Sequence, residues 1–258
     1  MLTKVDIHDF LIKNNIKKSD TVLIHTSMRA LGEVEGGCDG LIDGFASYLT
    51  DGLFLVPTHT WANVNKNQPI YDVRSTVPCI GALPTVAAFR KDGIRSLHPT
   101  HSLAAFGKRA AEFVRGEEFA TPPCFLGGAW SRLYEEDAKI LLLGVGLDKN
   151  TYIHAIDEMV DAPGKLSEQK QLTIIDYDGN SRDVIYRSHS HPTSQYFVNY
   201  QKPLDTLGVL SYSKLGDATV TMMGARELTH VLKKIWSNTN YDITESYNEI
   251  PESYYMGD

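Results

Sequence analysis

Cysteine is scarce in this chain of 258 residues: Cys38, Cys79 and Cys124 are all it has. They form no Cys-x-x-Cys pair and their number is odd, which excludes a disulfide framework and a structural zinc site built from cysteines. Positive charge is also short. Lys and Arg number 25 against 32 Asp and Glu, a formal net charge of −7. That is the wrong sign for a dedicated nucleic-acid or anionic-membrane binder, and it suits a cationic small-molecule partner better, though weakly. No run approaches the ~18 apolar residues of a membrane span, and Met1 to Lys18 lacks the unbroken apolar stretch of a secretory leader, so cytoplasmic residence is the expectation. Internal repeats and low-complexity tracts are missing, which removes solenoids. Gly144-Val145-Gly146 is followed by Leu147-Asp148-Lys149-Asn150 and so lacks the third glycine of a dinucleotide fingerprint. With no GxSxG elbow and no GxxxxGK[ST] loop either, nicotinamide enzymes, α/β-hydrolases and P-loop enzymes all lose support.

What is present is an ordinary globular composition, 42% apolar and 22% charged, long enough for one large or two ordinary domains. Thr21 to His25 is a short β-branched and apolar run that reads as a buried strand. A Gly36-Gly37 loop follows, then helical spacing at Leu41, Ile42, Phe45, Tyr48 and Leu49, then a second strand over Leu53 to Pro57. Strand, loop, helix, strand is the order of a βαβ unit. Trp61 to Pro78 is polar, carries two prolines and reads as a long functional loop. Gly81 to Arg90 reads as a helix, and the neighbourhood of Ala104 as a short strand. Ile140 to Gly146 is apolar on both faces, as a mid-sheet parallel strand covered by helices should be. Asn150 or Thr151 can cap the helix after it, through His154, Ile156 and Met159. Leu172 to Tyr177 and Val184 to Arg187, joined through Asp178-Gly179-Asn180, form a hairpin. Ala218 to Met223 reads as a strand and Ala225 to Trp236 as an amphipathic helix. The expected fold is therefore α/β: a central, largely parallel sheet flanked by helices, with an antiparallel portion over about 165–237. It forms a single domain across 1–258 with an acidic tail at 238–258.

Three places stand out chemically. The turn His25-Thr26-Ser27-Met28-Arg29 sits at the C-terminal end of a parallel strand, where ligands bind in open α/β sheets. Exposed N–H groups and the Arg29 fork suit a phosphate there, although an ordinary helix cap accounts for the same residues. On the helix after the mid-sheet strand, Asp157 and Glu158 lie three and four residues beyond His154. Either can reach the imidazole, fix its tautomer and stabilise its protonated form, as a general base requires; solvated surface carboxylates are the bland alternative. His98/His101 and His189/His191 form two histidine clusters. Neither has HExxH spacing or an evident carboxylate ligand, so structural or substrate-contact roles are expected and no metal.

Taken together these blocks resemble the aminoglycoside 3-N-acetyltransferase family, acetyl-CoA enzymes unrelated in fold to the common GNAT acetyltransferases. The resemblance is carried by His25-Thr26-Ser27-Met28-Arg29-Ala30-Leu31-Gly32 with Gly36-Gly37, and by Pro57-Thr58-His59-Thr60-Trp61. It continues through Thr76 with Ile80-Gly81 and Phe89-Arg90, and through Arg95-Ser96-Leu97-His98-Pro99-Thr100-His101-Ser102 with Gly107. The most telling block is Lys139 to Val145 followed by Thr151-Tyr152-Ile153-His154. The likeness is strong from Thr21 to Glu158 and weaker over Ser194 to Phe197 and Gly216 to Leu232.

The resemblance implies an N-acetyltransferase that moves acetyl from acetyl-CoA to an amine of an aminoglycoside or related amino sugar. Transfer would be direct, within a ternary complex. An amino sugar of a polysaccharide or secondary metabolite is the alternative acceptor; a non-catalytic binding module and a metal-dependent hydrolase on the histidine clusters are weaker readings. The family's catalytic histidine corresponds to His154 and its helix carboxylate, usually Glu, to Asp157. Asp is one methylene shorter, which leaves open that Glu158 shares or takes over the orienting role, with Asp157 at i+3 the expected holder of the imidazole. CoA would be met by His25, Thr26, Ser27, Met28 and Arg29, with Thr76, Ile80, Gly81 and Ser102. The acceptor would be met by His59, Trp61, His189 and His191. An oxyanion would be stabilised by N–H or hydroxyl groups of the Thr26-Ser27 turn, an effect of ~3 kcal/mol per donor. The family's Gly-Ser-Pro block is replaced here by Gly128-Ala129-Trp130. A negatively lined cleft is expected for a cationic acceptor, and the protein is expected to be a monomer or homodimer with neither nucleic-acid nor membrane partners.

Overall fold

Along Thr21–Thr26, Val22 and Ile24 pack into one apolar layer while Leu23 packs into another. The same alternation divides Ile140 and Leu142 from Leu141 and Leu143. Successive side chains leave a strand on opposite faces, so a continuous apolar run must be covered on both sides. The computed structural model describes residues 1–119, 121–190, 193–239 and 242–257. Its strands are Thr21–Thr26 (β1), Leu53–Pro57 (β2), Ile70–Asp72 (β3), Gly93–Arg95 (β4), Leu103–Phe106 (β5), Lys139–Leu143 (β6), Lys170–Ile175 (β7), Ser181–Tyr186 (β8), Ser211–Leu215 (β9) and Ala218–Gly224 (β10). Its helices are Lys4–Lys13 (α1), Met28–Leu31 (α2), Gly37–Tyr48 (α3), Ala82–Phe89 (α4), Ala110–Phe113 (α5), Ala129–Glu135 (α6), Tyr152–Met159 (α7), Gln201–Thr206 (α8) and Ala225–Ser237 (α9).

Seven strands form the main sheet in the order β4-β5-β2-β1-β6-β10-β9. The core β2-β1-β6 is parallel, as expected, and antiparallel strands extend it at both edges. Residues of α1 and α3 build the apolar layer on one face, and those of α6, α7 and α9 the layer on the other. From β1 the chain crosses to β2 on one side and later returns to β6 on the other. The C-terminal ends of β1 and β6 therefore flank a topological switch point, where a crevice opens in sheets of this kind.

Three sequence expectations change. Trp61 to Pro78 is not loop throughout: Ile70–Asp72 pairs in parallel with β7 and completes a three-stranded sheet with the β7-β8 hairpin. A three-residue strand has no period of its own, and only the distant partner reveals it. The mid-sheet strand stops at Leu143 rather than running to Gly146, because Gly144 turns left-handed at φ +66°. The segment after Asn238 is not a loose tail among the described residues, since Ile243, Ile250 and Tyr255 are buried in the layer containing α7 and α9.

Gly144 also permits close approach, for a Cβ there would lie 2.3 Å from the Ala30 Cβ. Gly144→Ala is expected to destabilise by about 2 kcal/mol or more, combining left-handed strain with the clash. The measurement is the urea midpoint at constant m-value; a midpoint equal to the parent's removes the argument.

Candidate active site

A cleft of about 610 Å³ opens at the C-terminal ends of β1, β2 and β6. Ile24, His25 and Thr26 come from β1, Val56, Pro57 and His59 from β2 and its exit, and Val145 to Thr151 from the connection after β6. His154 on α7, His101 before β5, Tyr186 at the end of β8, and Ser188 and His189 just after it add to the wall, with Trp61 at its mouth, 52% exposed. Five histidines thus face one cavity. Burial holds all of them neutral: His25 and His189 are pushed down to about 3, and His59, His101 and His154 fall well below the usual imidazole range.

His154 Nδ1 lies 4.0 Å from Asp157 Oδ2, one helical turn on, and the Asp157 side chain is 1% exposed. This is charge proximity, longer than a hydrogen bond. The other carboxylate oxygen accepts from Trp236 Nε1 at 3.2 Å. Behind Trp236, the buried Lys165 ammonium lies 5.6 Å from the indole centroid and 2.5 Å from Asp242. Burial raises the Asp157 carboxyl to about 7, with Lys165 opposing the rise. Sequence reasoning missed this Trp236-Lys165-Asp242 support, because two stretches far apart in the chain meet in it.

Glu158, which the helical spacing also allowed to reach His154, is engaged elsewhere. Its Oε1 accepts from the Cys124 backbone N–H at 2.9 Å and lies 3.1 Å from His189 Nε2. Being four residues along rather than three, it leaves the helix on the side of β8. His189 in turn stacks on His154 with ring centroids 4.0 Å apart. Burial raises Glu158 to about 8.

At the β1 turn, Thr26 Oγ1 is buried without a hydrogen-bond partner among the described residues. The Ser27 N–H, one of the expected oxyanion donors, is occupied by the Leu143 carbonyl at 3.0 Å, and Ser27 Oγ caps α2 by accepting from Ala30 N. Arg29 is exposed, and Met28 packs partly against the core. Ile80 lines the cleft, and Gly81, exposed, immediately precedes α4, whose Leu83 and Pro84 also line it. Thr76 Oγ1 accepts from Asp72 N, and its carbonyl accepts from Arg95 at 2.7 Å. Ser102, expected at CoA, is instead fully buried, its hydroxyl donating to the Thr58 carbonyl and lying 3.3 Å from Arg95 Nε. The reason is Arg95, a buried guanidinium whose donors organise Thr58, Thr76 and Ser102 beneath the cleft.

His59 Nε2 lies 2.9 Å from Thr151 Oγ1, while its Nδ1 has no partner among the described residues. His98 is fully buried: its Nδ1 accepts from the His101 N–H and its Nε2 faces the Pro122 carbonyl. His191 lies outside the described residues. The Gly128-Ala129-Trp130 departure becomes a support, because Trp130 is fully buried, donates to the His101 carbonyl and packs beside His59 and His25. The acidic lining expected from net charge is not found. Asp148 is the sole acid among the described lining residues, and it pairs with Lys149 at 2.7 Å. The chain's acidic excess lies elsewhere. No described helix is long and apolar enough to cross a membrane.

A family model described as aminoglycoside 3-N-acetyltransferase matches residues 23–237. Aminoglycoside N(3)-acetyltransferase IV of Salmonella sp is 28% identical over 189 residues, covering 73% of this chain and 70% of its own. Aminoglycoside N(3)-acetyltransferase III of Serratia marcescens is 25% identical over 184 residues, covering 65% and 68%. Among solved structures, a variant of the aminoglycoside acetyltransferase AAC(3)-IVa in complex with a gentamicin superimposes with TM-score 0.78 at 22% identity, over 92% of this chain and 89% of that one. The binary complex of AAC-IIIb with CoASH gives 0.76 at 19% identity, over 88% and 93%. Both structural likenesses concern the fold.

Proposed function

The chain belongs to the aminoglycoside 3-N-acetyltransferase family, and from that premise we propose that it transfers acetyl directly from acetyl-CoA to a primary amine of an amino sugar, with His154 as general base. The observation that carries this reading is the neutral His154 imidazole in the cleft wall, its Nδ1 facing Asp157. An Nδ1–H tautomer directed at Asp157 leaves the Nε2 lone pair to take a proton from the attacking amine. The thioester carbonyl oxygen becomes an oxyanion as nitrogen attacks, and the unpartnered Thr26 hydroxyl is the donor we assign to it. Collapse forms the amide and releases CoA thiolate, to which the base returns a proton. In this proposal CoA runs past the β1 turn at Thr26 to Arg29 and the start of α4 near Ile80 and Gly81. The acceptor enters between Trp61, His59 and His189. Asp157, raised to about 7 by burial, stabilises the imidazolium where it is ionised, at and above that pH.

The lining also favours one acceptor class over another. Aminoglycosides carry several ammonium groups, which a wall of neutral histidines and one ion-paired acid binds poorly. An amino sugar with a single free amine, from a polysaccharide or secondary metabolite, suits this cleft better. Incubation with acetyl-CoA and a panel of both acceptor classes, with thiol release followed spectroscopically, tests the reading. Thiol release is expected only when an amine is present, with mono-amino sugars the better acceptors. Undetectable acetyl-CoA binding by calorimetry would remove the enzyme reading.

A further inference from the structure

Beside the His154 ring, Cys124, Glu158 and His189 bring a sulfur, a carboxylate oxygen and an imidazole nitrogen to within 4.8 Å of one another. They come from the loop before α6, from α7 and from the exit of β8, so the grouping is a product of the fold. Glu158 Oε1 has two neighbours, the Cys124 N–H and His189 Nε2. Glu158 Oε2 has none among the described residues, although the side chain is only 6% exposed. A buried carboxyl oxygen without a hydrogen-bond partner is costly whether or not it carries the proton, and a cation can meet it.

We propose that Cys124 Sγ, Glu158 Oε2 and His189 Nε2 bind one zinc ion. Sulfur and imidazole ligands disfavour Mg²⁺ and Ca²⁺ and select Zn²⁺ among abundant divalent ions. A thiolate and a carboxylate neutralise the dication, which matters in a buried place. Ligand bonds of about 2.0–2.3 Å put tetrahedral ligand atoms roughly 3.3–3.8 Å apart, so side-chain rotation closes the cluster onto an ion. On binding, the Cys124 thiol and the Glu158 carboxyl, the latter raised to about 8 by burial, each release a proton to solvent, and His189 adopts the Nδ1–H tautomer so that Nε2 offers its lone pair. Three protein ligands leave a fourth position for water. His189 lines the cleft and stacks on His154 at 4.0 Å, so an ion held there with its water lies in the acceptor's path beside the base. Zinc is thus an inhibitor of turnover and no part of the acetyl-transfer chemistry. Only this inhibitory consequence rests on the proposed function; binding stands independently.

Cobalt(II) is the spectroscopic probe. The parent protein, freed of metal, is expected to bind one Co²⁺ per chain with a near-ultraviolet thiolate-to-cobalt band, and Zn²⁺ is expected to displace it. Cys124→Ser and His189→Gln, each checked for folding by circular dichroism, should lose the band or weaken Zn²⁺ binding by 10²-fold or more. Absence of a thiolate band in the parent, or parental Zn²⁺ affinity in folded Cys124→Ser, overturns the site. In the acetyl-transfer assay Zn²⁺ should inhibit the parent reversibly with EDTA and leave Cys124→Ser active; equal inhibition of both overturns the regulatory role. An intact cobalt band in a protein with no acetyl transfer would sink the enzyme reading and support the metal site.

Discussion

His154→Ala is expected to lower kcat by roughly 10²-fold or more while leaving acetyl-CoA affinity nearly unchanged, as loss of a general base does. The ring lines the cleft and is held between the His189 face and the Phe197 edge. Alanine therefore removes the proton acceptor and leaves the β1 turn intact. Stopped-flow or steady-state rates beside calorimetric acetyl-CoA binding read the two quantities separately. Full activity in the alanine variant would overturn the mechanism. The acidic neighbours should separate as their geometry separates. Asp157 Oδ2 faces the imidazole at 4.0 Å, and a carboxylate there favours the charged imidazole and raises its pKa. Burial raises the Asp157 carboxyl to about 7, so this carboxylate is present chiefly at and above that pH, and Asp157→Asn should lower kcat/KM most there and least on the acid limb, where Asp157 is already protonated. Glu158→Gln, whose parent side chain is engaged by Cys124 and His189, should lower it less. The reverse pattern would transfer the orienting role to Glu158.

Thermal stability is expected to fall steeply as pH drops from about 6.5 towards 5, and gently as it rises above about 7. Six buried histidines, His25, His59, His98, His101, His154 and His189, have folded pKa values depressed by burial. Unfolded, they take up protons near pH 6.5; folded, they refuse them, so falling pH favours the unfolded chain. Glu117, Asp157 and Glu158 act in the opposite sense, since burial raises them to about 7, 7 and 8. They hold protons in the folded state that the unfolded chain releases, so their contribution is lost as pH rises through 7 to 8. Near pH 5.5 the histidines outweigh the carboxyls by about three protons, which corresponds to a few kcal/mol per pH unit at most. Calorimetric melts from pH 5 to 9 check this. A flat profile between pH 5 and 7 would mean that the histidines titrate as though solvated, and would remove the electrostatic basis of the site.

Local pattern was enough wherever the signal lay within one segment. The apolar runs over Thr21 to His25, Leu53 to Pro57 and Ile140 to Leu143 had to be strands buried on both faces, and their separation by helical spacing required a parallel core. The hairpin turn at Asp178-Gly179-Asn180 and the position of His154 just past a strand end were legible for the same reason, as was Asp157 on the face of His154. The family resemblance rested on the order of such blocks.

Pairings between distant segments were decided by tertiary structure alone. β3 exists because β7 accepts it. Glu158 turned from His154 to His189 because β8 delivers that ring to its side of α7. Ser102 left the ligand list because Arg95 draws its hydroxyl into the core. The cleft became neutral because five histidines from different elements are buried together. Sequence sets the local period and chemistry of each segment, whereas desolvation and proximity arise only when the sheet brings those segments to one place, and these set the charge state of the groups that meet there.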